Sequence, residues 1–141
     1  MMQRLAVFAL AVMTLAAVPY ALKAADADAL CPLGNATLVG TYMVIGTGYI
    51  VGVGPVTSVG VATYDGKGNV VNTFTRSVNG TISTGSVTGV YTVNSDCTSP
   101  LTQSNGTHYD RVVAPDGSRF NWIETDTGTI VSGTALQLGH E

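Results

Sequence analysis

THYDRVVAPDGSRFNWIET, residues 107–125, decides how this chain folds, because it sets a turn of defined chemistry between two alternating runs. Pro115 presets the backbone for the second position of a turn, Asp116 suits the third, and Gly117 takes the left-handed conformation that follows. Two β-strands therefore meet here. A three-residue loop, a type I turn closed by a glycine bulge, sets Ala114 opposite Ser118. Counting outward pairs Val112 with Phe120, Asp110 with Trp122 and His108 with Glu124, and gathers those six on one face. A two-residue Asp-Gly turn would slip the ladder by one position and bring Tyr109 and Arg111 across to the Trp122 face instead. Phe120, Trp122 and Glu124 keep together in either register. Their face carries the larger aromatics and is expected to point inward.

Outward from this hairpin the chain reads as further short β-rich runs separated by turn signals, without a helical stripe of useful length. The runs are residues 36–45, with Leu38, Gly40, Tyr42 and Val44 on one face, then 55–64, 70–78, 81–93, 101–104 and, after the hairpin, 129–138. Asp65-Gly66-Lys67-Gly68-Asn69 reads as a tight turn; one carboxylate and an amide are too few for a calcium loop. Residues 46–54, GTGYIVGVG, are expected to form a flexible loop or bulged strand; the functional alternative is a lid over a barrel mouth, with Tyr49, Ile50 and Val51 facing a ligand. No helix follows to give that Gly-x-Gly the amide dipole a phosphate needs. About eight strands with tight connections predict an all-β, antiparallel up-and-down barrel, whose closure leaves no exposed edge. Gly40, Gly60, Gly89 and Gly133 fit the bends that closure demands. A two-sheet sandwich is the alternative.

The ends and the charge bound the setting. Arg4 precedes an apolar run over residues 5–18, followed by Pro19 and small residues, which is the layout of a secretory signal peptide over 1–24. The run is too short to span a bilayer, so no membrane span is expected after cleavage. A segment with Cys31 (25–35), one β-domain (36–138) and a short tail (139–141) follow. Cleavage leaves Lys67, Arg76, Arg111 and Arg119 against nine acids, a net charge of −5 where the full chain carries −3. With no basic stripe, nucleic acid is not an expected partner. Two cysteines in an exported chain predict one disulfide, Cys31 to Cys97, in the periplasm or outside the cell.

The chemistry-bearing residues are few. Tyr42, Tyr49, Phe120, Trp122, Glu124 and Arg111 are the candidates for binding a small apolar ligand in the barrel. His108, Asp110 and Glu124 are the only candidates for acid/base catalysis, since His108 and Glu124 would touch across the hairpin in the first register. A Gly-x-Ser-x-Gly nucleophile motif is absent. The spacing of His108, His140 and the cysteines supplies no metal cluster, and no cofactor is implied.

Cys31 with Ala36-Thr37-Leu38-Val39-Gly40-Thr41-Tyr42, Tyr64-Asp65-Gly66-Lys67-Gly68-Asn69, Gly89-Val90-Tyr91-Thr92-Val93-Asn94-Ser95-Asp96-Cys97-Thr98 and Ile123-Glu124-Thr125-Asp126-Thr127-Gly128-Thr129-Ile130-Val131-Ser132-Gly133 resemble a group of short secreted bacterial proteins without an assigned activity. The resemblance covers nearly all of the chain after the signal peptide. It implies export, a shared barrel topology and the same cysteine pair, and it carries no catalytic residue. More remotely, Gly40-Thr41-Tyr42 and the strand meander resemble the lipocalin-like (calycin) and allene-oxide-cyclase-like barrels. Lipocalins carry Gly-x-Trp where this chain has Tyr42. That likeness implies a ligand cavity.

Overall fold

The turn signals divide the chain into eight strands, and the computed structural model, which describes residues 29–139, joins them in chain order. They are β1 (Val39–Ile50), β2 (Gly54–Asp65), β3 (Asn69–Val78), β4 (Thr81–Tyr91), β5 (Leu101–Gln103), β6 (His108–Val113), β7 (Arg119–Glu124) and β8 (Thr129–Gln137). Each pairs antiparallel with the next and β8 returns to β1, closing the up-and-down barrel expected from the sequence and excluding the sandwich. Among the described residues the one helical element is a 3-10 turn, Gly34–Thr37. The expected signal peptide and His140 lie outside the described residues.

One end of the barrel is plugged. Tyr42, Tyr64, Tyr91 and Phe120 point inward from four different strands and pack edge-to-face or tilted, with neighbouring ring centroids 5.1 to 5.8 Å apart. Edge-to-face contact suits the aromatic quadrupole, so the four rings pack against one another at this end. The N-terminal segment covers them: Leu38 and Cys31 are fully buried, and the Tyr91 hydroxyl donates to the Leu38 carbonyl at 2.9 Å. The Cys31–Cys97 disulfide fastens that segment to the β4–β5 connection, as the cysteine count predicts. Tyr42 reaches the other way, its hydroxyl donating to the Gly117 carbonyl at 2.6 Å.

The wall is uneven. β4 pairs with β3 at ten positions but with the three-residue β5 at only three. Beyond Thr88, whose carbonyl accepts from the Ser104 amide at 2.8 Å, the second edge of β4 has no ladder among the described residues.

Two expectations are corrected. Residues 46–50 take the strand reading without its bulge, not the loop or the lid: β1 runs unbroken to Ile50, and Tyr49 pairs with Pro55 and Ile130 on the outer face. Gly46 and Gly48 are in-strand glycines because neighbours press on them; a β-carbon at Gly48 would collide with the Ile130 carbonyl oxygen. The hairpin register is the slipped one, pairing Tyr109 with Glu124, Arg111 with Trp122 and Val113 with Phe120. The type I turn is present, with the Gly117 amide on the Ala114 carbonyl at 2.8 Å and φ of 73° at Gly117. The Asp116 carboxylate then takes both the Ser118 amide (2.9 Å) and hydroxyl (2.7 Å), holding Ser118 out of the ladder. The loop therefore spans four residues instead of three, and every cross-strand partner shifts by one.

Candidate functional site

Above the aromatic plug the interior is hollow. The cavity holds about 120 Å³ and is lined by residues of seven strands together with Asn105 and Thr107 of the β5–β6 turn. Val44, Val56, Val131 and Phe74 supply apolar wall, and Arg76, Glu124 and Asn105 stand where it meets solvent.

Trp122 forms one wall. The six-membered ring of its indole lies over Gly133, its partner on β8, and over Gly46, the partner of Gly133 on β1. β-Carbons at these glycines would come within 2.6 Å and 2.5 Å of the ring, so their lack of a side chain makes the seat. Tyr109 meets the indole edge-on at 5.4 Å. The indole Nε1 is buried without a hydrogen-bond partner among the described residues, and so is Asn72 Oδ1 on β3. Both residues line the cavity, from strands four places apart in a ring of eight, hence from opposite walls.

Arg111 forms the floor. It is 2% exposed, an unusual place for a guanidinium. Its Nε donates to the Ser99 carbonyl at 3.0 Å, Nη1 to the Tyr64 hydroxyl at 2.9 Å and Nη2 to Ser99 Oγ at 2.6 Å. The rings of Tyr64, Tyr91 and Phe120 surround it with centroids 5.2 to 5.5 Å from Cζ, within cation–π range. Burial pulls its pKa below the ordinary value, while the Tyr64 phenol pushes it back up. No carboxylate pairs with it among the described residues.

At the mouth, burial and then the nearby Asp126 raise the pKa of Glu124, against the opposing pull of Arg76. Burial is also the main cause that raises Tyr109, with Glu124 and Asp126 adding to it.

The expected site residues therefore divide. Phe120, Trp122, Glu124 and Arg111 line the cavity. Tyr42 is 0% exposed in the plug beneath it, and Tyr49 stands outside the barrel. His108 and Asp110 also face outward, so the His108–Glu124 acid/base pair does not form. His108 instead meets Asp126, Nδ1 to Oδ1 at 2.8 Å, on the surface. That hydrogen bond, aided by one from the His108 amide, holds the Asp126 carboxyl below its usual range. Sequence reasoning missed Asn72, Tyr64 and the seat at Gly46. The Gly46–Gly133 pair was readable only after the β1–β8 register was known. Among the described residues no three of His, Cys, Asp and Glu come together as a metal site, and no helix is long and apolar enough to cross a membrane.

No protein-family model, curated protein or solved structure matches the chain. The chemistry of the cavity rests on its own residues.

Proposed function

We propose that the protein is exported, works without catalysis, and holds one small apolar molecule inside its barrel. The observation that carries this reading is the cavity of about 120 Å³ walled by Val44, Val56, Val131, Phe74 and Trp122. Binding sites of small molecules combine such walls with a few placed polar groups, which Trp122 Nε1, Asn72 Oδ1 and Arg111 supply. The size suits a single ring, since engineered cavities of about 150 Å³ take up benzene. Export is supported by the leader-like residues 1–24 and by the disulfide.

Toluene is the first probe. Titrated into the purified, oxidised protein, it should shift the emission of Trp122, the only tryptophan, and Val131→Phe, which fills the cavity, should abolish the shift. A folded Val131→Phe protein that responds as the native one does would overturn the reading.

The outer wall favours a second reading, a surface-interaction protein. Met43, Ile45, Val59, Val61 and Leu136 are neighbours on the outer face of β8, β1 and β2, each at least 40% exposed. A contiguous apolar face of this kind marks contact surfaces. Sedimentation of the native protein beside Met43→Lys would show self-association lost in the variant if that face is used.

A further inference from the structure

The floor of the cavity carries a charge that no carboxylate among the described residues neutralises. A guanidinium has five N–H donors, and Arg111 spends three of them on Ser99 and Tyr64. Two remain, on a cation that is 2% exposed and borders the cavity. Burying an unpaired charge is costly, and structural arginines in protein interiors are ordinarily paired with a carboxylate. Here aromatic rings and neutral oxygens stand in its place. Trp122 is the direct cross-strand partner of Arg111, and its buried Nε1 also lacks an acceptor among the described residues. Two side chains with unspent N–H donors therefore line the same cavity from neighbouring strands, and one of them is positively charged.

We infer that the cavity takes a compact monocarboxylate: an acid about one ring in size, its carboxylate on Arg111 and the indole N–H of Trp122, its apolar body against Val44, Val131 and Phe74. This rests on the ligand-binding reading above and names the ligand's class. A carboxylate accepts from a guanidinium through short charge-assisted bonds and supplies the counter-charge that Arg111 lacks among the described residues. The cavity volume excludes a long-chain acid from lying wholly inside.

Benzoate and nitrobenzene test the assignment, because they share shape and size and differ in charge. Calorimetry or ligand-observed NMR on the purified, oxidised protein should find benzoate bound about tenfold or more tighter than nitrobenzene at neutral pH, the preference a charge-assisted contact gives. Arg111→Met should bring the ratio of benzoate to nitrobenzene affinity, both measured on the variant, to about one. Should that variant fail to fold by circular dichroism, Trp122→Phe decides, since it keeps an aromatic wall and removes only the N–H. It should lower the ratio of benzoate to nitrobenzene affinity about threefold to tenfold. Nitrobenzene binding as tightly as benzoate, or a ratio indifferent to Trp122→Phe, overturns the carboxylate assignment and leaves the apolar carrier standing. If neither probe binds, both readings fall.

Discussion

Trp122 lies across Gly133, its partner on β8, so closely that a β-carbon on the glycine would stand 2.6 Å from indole Cζ2. The same β-carbon would collide with the Ile45 carbonyl oxygen, which is backbone and cannot retreat. Gly133→Ala should therefore cost about 1–3 kcal/mol, as overpacked cores do, read from urea unfolding followed by Trp122 emission. At Gly46 a β-carbon meets only side chains, those of Trp122 and Ser58. Gly46→Ala should accordingly lose much of its cost in a Trp122→Ala background, while Gly133→Ala keeps most of its own. Equal recovery at both positions would contradict the seat described here.

The phenols of the plug make stability fall in alkali. Burial, then the neighbouring Tyr64 and Tyr91, push the Tyr42 pKa from 10.0 up to about 12. A raised pKa means the folded state keeps a proton that the unfolded chain releases. The stabilisation is full below pH 10 and is lost as pH rises from 10 through about 12. Tyr42→Phe should flatten that decline in thermal melts between pH 8 and about pH 12. At neutral pH it should cost about 1–2 kcal/mol, because the bond to the Gly117 carbonyl is lost.

Glu124 works in the opposite range. Burial first, then Asp126, lift its pKa above the ordinary 4.5, so the protonated form is favoured in the folded state. Its contribution is present below pH 4.5 and fades as pH rises through the raised value, leaving a net cost at neutral pH. Glu124→Gln should raise Tm at pH 7 and change it little near pH 4. A lower Tm at pH 7 would show that Arg76 outweighs burial at the mouth.

Reduction should weaken the fold through the unfolded chain. The Cys31–Cys97 bond joins positions 66 residues apart, and closing a loop of that length contributes about 4 kcal/mol in the chain-entropy model. The Cys31→Ser/Cys97→Ser double variant should unfold at a clearly lower denaturant midpoint with an intact β-type circular dichroism spectrum at low denaturant. An unchanged midpoint would mean that Leu38 and the Tyr91–Leu38 bond hold the N-terminal segment unaided.

How much of this was legible beforehand depends on the range of the interaction. The turn at Asp65-Gly66-Lys67-Gly68-Asn69 acts within a few residues, so the end of β2 and the start of β3 were delimited from local chemistry, and tight loops between successive strands favoured the barrel over the sandwich. Phe120, Trp122 and Glu124 share a face in any register, which is why their grouping held when the ladder slipped. The slip itself was not legible, because it turns on the Asp116 carboxylate binding both Ser118 groups instead of letting Ser118 close the ladder.

By itself, then, the sequence determined what period, turn chemistry and residue type determine: about eight strands, a cysteine pair and an inward aromatic face. Only the tertiary structure decided which face Arg111 occupies, that Gly46 and Gly133 together seat Trp122, and that His108 and Glu124 never meet. The physical reason is that these outcomes are set by one-residue differences in ladder register and by contacts between β1, β7 and β8. β1 lies far from β7 and β8 along the chain and becomes the neighbour of β8 only when the barrel closes.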